Sequence, residues 1–163
     1  MDLTAMETDR ELERGGVWVP VSDTVELLVA RAGNPAHEAR LNAYRKQHER
    51  WLENTTNSTD EGIVARRQDI LRDIGAKAAA GTVLKGWRWP ASVTGPVLDG
   101  EPLGEFTTQK AAALMLRNDP FFKMVGEIAN DEETYRRRQV ADAVGNSATA
   151  SAGNSSSEAK HGD

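Results

Sequence analysis

Apolar positions along this chain change period several times, and each change marks an element. Residues 16–21 (Gly16, Val17, Trp18, Val19, Pro20, Val21) are short, β-branched and aromatic, and 24–31 form a second such run. Ser22 and Asp23 stand between them as turn residues, so the pair predicts a β-hairpin. Pro20 has no amide hydrogen and belongs at the edge or end of its strand. The period then becomes helical. Asn34 caps and Pro35 fits the first helical position, and Leu41, Tyr44, His48, Trp51 and Leu52 fall on one face. This helix fades in the polar run 54–57. Ser58 to Glu61 reads as a capping box, with Ile63, Val64, Ile70, Leu71 and Ile74 as the apolar stripe of the next helix, which Gly81 closes. Two consecutive helices with a short loop predict an antiparallel helical hairpin.

A tryptophan-bearing run, 83–90, returns to strand character and ends at Pro90; Trp87 and Trp89, two apart, predict a shared face. The segment 98–105 reads as a turn with Gly100 at its centre. Thr107 is placed to cap a helix over 109–117. Asn118 or Asp119 caps another, with Pro120 at its start and Phe121, Val125 and Ile128 on its inner face. Asn130 and Asp131 break the pattern before 132–144. The polar start, 1–14, is expected to be a frayed, flexible end. From 145 to 163 the chain holds no large apolar residue, so it predicts a disordered tail or linker. The fold class is α+β, mostly helical with a small antiparallel sheet, and 15–144 forms its one domain.

Composition removes whole classes of chemistry. With no cysteine among 163 residues, disulfides, thiolate zinc sites and cysteine nucleophiles are excluded. The net charge of −5 lacks the basic excess that nucleic acid favours. No run is long and apolar enough to span a bilayer, and the acidic start shows no secretion signal. His37 and His48 each precede a glutamate, as in zinc-protease helices, but Leu41 and Leu52 stand where the second histidine would be, so no metal site is expected. Acidic clusters at 7–13 and 131–133 suit helix starts and complement the macrodipole. No phosphate-binding glycine loop occurs. No catalytic, metal or cofactor residues are expected. Trp18, Trp87, Gly100 and Phe106 are assigned structural roles, with the tryptophan face favoured as core.

The order of these elements resembles the phage tail assembly chaperones, small proteins encoded upstream of the tape measure protein in long-tailed phages. The resemblance spans residues 16–146. It is carried by the hairpin at 16–31, the Asn34-Pro35 helix start, the Val83-Leu84-Lys85-Gly86-Trp87 strand, the Asp99 to Leu103 turn, the Phe106-Thr107 helix start and the Asp119-Pro120-Phe121 start. The connection 89–97 is longer than in such proteins. The resemblance implies a non-enzymatic role without cofactors in the host cell cytoplasm: holding the tape measure protein soluble while tail tube subunits assemble, and absence from the mature virion. It also implies a longer product made by ribosomal frameshifting, whose extra domain recruits tail tube protein. The faces Leu41/Tyr44/Trp51 and Phe121/Phe122/Val125 are the expected partner-binding residues. A structural tail or neck component of the virion is the alternative.

Overall fold

A computed structural model describes residues 1–136; the expected disordered tail at 145–163 and the stretch 137–144 lie outside the described residues. Among the described residues the chain divides into two units, Met1–Thr8 with Arg136, and Asp9–Tyr135. In the first, a single 3-10 turn, Leu3–Met6, is capped by Asp2, whose carboxylate accepts from the Thr4 amide at 2.9 Å.

The second unit begins with α1, Arg10–Gly15. A frayed, flexible end was expected over residues 1–14; its last part belongs to this helix. Asp9 accepts from the amides of Glu11 and Leu12, and Glu13 forms an ion pair with Arg31 at 2.5 Å. The cap removes orphan amides, and the long-range pair fixes a helix too short to persist alone.

The predicted hairpin is present as β1, Val17–Pro20, and β2, Glu26–Val29, joined by a turn in which the Ser22 hydroxyl accepts from the Val25 amide at 3.0 Å. Pro20 ends its strand on the sheet edge. The third strand, β3, Leu84–Arg88, pairs antiparallel with β2, giving the order β1-β2-β3. Trp87 stands opposite Leu27. The register slips between Leu28 and Val29, so that Val29 pairs with Leu84. This bulge lets Leu84 and Trp87, three positions apart, both reach the inner face, which strict alternation forbids. The strand stops before Trp89, so Trp87 and Trp89 do not share a strand face; Trp89 packs half-buried at the core's margin.

Between strands β2 and β3 come α2, Pro35–Asn54, and α3, Glu61–Ala79. Asn34 caps α2 as expected, accepting from the His37 amide at 3.1 Å, while its own amide group donates to the carbonyls of Arg31 and Thr82. The cap of α3 is Asp60, accepting from Ile63, and not Ser58 as the capping-box pattern suggested. Ser58 instead takes the Asp60 amide in the loop. Only the last turns of α3 enter the core, where Ile74, Ala76, Ala78 and Ala79 are buried.

The turn at 98–101 is the tip of a small hairpin, β4, Val97–Leu98, and β5, Glu101–Pro102. Asp99 and Gly100 lie at φ +53° and +80°, the pair of left-handed residues a two-residue hairpin demands. Then α4, Thr108–Arg117, capped by Thr107, and α5, Asp119–Asn130, capped by Asn118, close over the sheet. The core joins Leu27, Val29, Leu84 and Trp87 of the sheet to Ala76 and Ala79 of α3, Leu114 and Met115 of α4, and Val125 and Ala129 of α5. Glu132–Tyr135 is a final 3-10 turn, and the fully buried Tyr135 donates to the Val29 carbonyl at 3.2 Å. The α+β, mostly helical fold with a small antiparallel sheet is therefore observed.

Candidate partner-binding surface

The two faces expected to bind a partner have separate fates. On α5, Val125 is 1% exposed and belongs to the core. Phe121 and Phe122 are half-buried against the same cluster, Phe122 lying against Gly75 of α3. The Arg72 side chain of α3 reinforces this seam, donating to the Leu116 carbonyl at 2.8 Å and pairing with Asp119. This face is occupied from within. Helix periodicity marked it correctly as apolar, but periodicity does not say whether the chain or another protein covers a stripe.

The face on α2 is different. No residue of this 20-residue helix is buried. Leu41, Tyr44, His48, Trp51 and Leu52 are half-buried along the seam with α3, and the remaining surface is open. The first turns of α3 are equally bare: Ile63, Val64 and Leu71 are exposed hydrophobic residues. Arg67 bridges the hairpin next to its connecting loop, donating to the Leu52 carbonyl and to the Thr55 hydroxyl. Arg66 stacks over the Trp51 ring at 5.2 Å. A shallow groove of about 700 Å³ runs along one flank, lined by Arg50, Trp51 and Asn54 of α2 and by Arg66 and Ile70 of α3, with Lys46 and Glu49 at its rim.

The four residues assigned structural roles occupy distinct positions. Trp87 is 7% exposed; its indole N–H donates to the Gly104 carbonyl at 2.8 Å, and Phe106 meets it edge-on with ring centroids 4.7 Å apart. Trp18 lies on the opposite face of the sheet, where Arg88 stacks on it at 4.0 Å and in turn pairs with Glu26. The ring of Trp18 also needs Gly86 beneath it: a Cβ there would meet the Trp18 ring at 3.3 Å. Gly100 makes the tight turn.

The titratable groups serve the fold. Burial against the helix start pushes His37 below the ordinary imidazole range, and its Nδ1 accepts the Gly33 amide at 3.0 Å. Burial raises the Tyr135 phenol to about 12. Glu13 and Glu132 both converge on Arg31. Among the described residues no group of three or more His, Asp or Glu could hold a metal ion, and no helix is long and apolar enough to cross a membrane.

A family model described as YdaY prophage protein matches residues 32–146. No curated protein and no solved structure matches the chain.

Proposed function

The chain belongs to the YdaY prophage protein family, and from that premise we propose that it is a phage tail assembly chaperone. It binds the tape measure protein in the host cytoplasm and keeps it soluble before the tail tube encloses it, by binding alone and without a cofactor. The observation that carries this reading is the α2–α3 hairpin. A 20-residue helix without one buried residue does little for the core, yet Leu41, Tyr44 and Trp51 on it are only half-buried, and Ile63, Val64 and Leu71 of the paired α3 are exposed. Apolar side chains left open along one two-helix element support an interaction role. A long helical partner with its own apolar stripe fits it as a further helix of the bundle. Burial of each Å² contributes about 25 cal/mol before ordering costs are subtracted. The acidic remainder of the chain keeps such a complex dispersed. A longer frameshifted product would add the contact to tail tube protein.

The test is co-expression with the tape measure protein of the same prophage. The soluble yield of that protein rises, and it co-purifies with the tagged chain. A tape measure protein that stays insoluble overturns the proposal. So does stoichiometric retention of the chain in purified particles, which identifies a structural tail or neck component instead.

A further inference from the structure

Cations without an ion pair occur on several elements of the Asp9–Tyr135 unit, Arg10, Arg14, Arg45 and Lys123 among them, and three more meet at one groove. Arg31, Arg72, Lys77, Arg88 and Arg117 all form ion pairs with carboxylates. Lys46, Arg50 and Arg66, by contrast, are exposed and form no ion pair among the described residues, and all three border the groove beside Trp51. Glu49 is the one carboxylate lining that groove. In a chain of net charge −5 this is a local reversal of sign, set around a half-exposed indole and Ile70. Arg66 already stacks over one face of Trp51, so a cation is held against the indole within the groove.

We infer that this flank of the α2–α3 hairpin is a docking groove for an acidic amphipathic helix. The inference deepens the chaperone reading and rests on it: the groove selects which stretch of the tape measure protein is held. The lining from Lys46 to Asn54 measures about 12 Å along the helix axis, so the docked segment is about two to three turns long. Its apolar stripe packs on Trp51 and Ile70. Its acidic residues flank the stripe and meet Lys46, Arg50 and Arg66. Charges at the rim govern encounter rate and partner choice more than final affinity, so the groove discriminates between acidic and basic helices of equal hydrophobicity. A nucleic acid strand is the less suitable occupant. Its affinity grows with the number of phosphates neutralised, and three cations with a glutamate among them form a short track.

The test uses the full chain and fluorescein-labelled peptides that tile the tape measure protein, read by anisotropy. Acidic amphipathic peptides bind. The double variant Arg50→Glu/Arg66→Glu weakens them at least tenfold and gains the same peptides with their carboxylates changed to lysine. Trp51→Ala weakens both sets. Lys123→Glu, on the exposed side of α5, changes neither. Circular dichroism and melting confirm that each variant folds. Peptides that bind the wild type and both variants equally overturn the groove and leave the chaperone reading standing. Failure of every peptide, together with failure of co-expression, overturns both. Binding of a 20-nucleotide DNA that the double variant abolishes, with no peptide bound, identifies a nucleic acid site and overturns the inference.

Discussion

The hairpin α2–α3 and the sheet with its covering helices are built from the same chain by opposite rules. In the sheet layer, small and branched residues interlock. Val29, Leu84, Met115 and Val125 are at most 1% exposed, and the buried polar side chains of Asn34 and Thr82 each donate to a backbone carbonyl. In the outer hairpin, long side chains meet along one shallow seam, and their polar ends face solvent. The difference teaches where each region derives its order. The sheet layer depends on burial of apolar area, which is cooperative and sensitive to single atoms. The hairpin depends on local helix formation and capping, which tolerate surface change. On the proposed chaperone reading, a protein that must fold alone and also present apolar surface to a partner has reason to keep the two apart.

The comparison is broken most directly at Trp87. Trp87→Ala removes a buried ring, its edge contact with Phe106 and its bond to the Gly104 carbonyl, and should cost about 3–5 kcal/mol, read from urea denaturation midpoints. A variant that melts like wild type would mean that the sheet layer is no core at all. A weaker stress comes from alkali. The folded state holds the Tyr135 phenol at about 12, above its unfolded value of about 10. The folded state therefore keeps the proton longer. The associated stability is complete below pH 10 and is lost as the pH rises toward 12, by on the order of 2 kcal/mol. Tyr135→Phe should abolish that pH dependence. A wild-type curve that stays flat from pH 10 to 12 places the phenol in solvent.

Asn34 tests the joint between the two regions. Its side chain caps α2 and also ties the Thr82 carbonyl next to β3. Asn34→Ala should cost about 1–2 kcal/mol, whereas Asn34→Asp, which keeps the cap and loses the donated bonds, should recover part of it. Thermal melts of the pair separate the two contributions. The smallest effect belongs to Trp51. Trp51→Ala should cost about 1 kcal/mol or less, although it truncates the same residue type as Trp87. Equal losses at the two tryptophans would erase the distinction drawn between core and hairpin.

The sequence disclosed most where a single residue sets local geometry. Asn34 with Pro35, Thr107, and Asn118 with Pro120 each start a helix where expected, because capping is decided by a few neighbouring atoms. The Asp99-Gly100 turn was legible for the same reason. Elements held by distant partners were not. Helix α1 is anchored by Arg31, which lies beyond the whole first hairpin, so its acidic residues look like a loose end. The slip that turns both Leu84 and Trp87 inward arises from pairing with β2 and leaves no mark in the local pattern. Both Ser58 and Asp60 are competent caps, and the loop geometry selected Asp60. Of the candidate surface, the α2 stripe and the α5 stripe look alike in one dimension; only packing shows that Val125 is covered with Phe121 and Phe122 half-buried against the core, whereas Leu41, Tyr44 and Trp51 are half-buried outside it.

The bond from Tyr135 to the Val29 carbonyl spans 106 residues, and it sets a timetable. During synthesis the contacts between α2 and α3 are within reach once Ala79 has emerged, before those of α3 to α4 and α5, and such local pairs form quickly. The sheet layer lacks α4, α5 and its last buried ring until Tyr135 follows, roughly 3–10 s later at about 5–20 residues per second. For that interval the nascent chain is a finished helical arm attached to an unfinished body. On the proposed chaperone reading, such an arm meets a partner being translated nearby before the rest of its own domain exists.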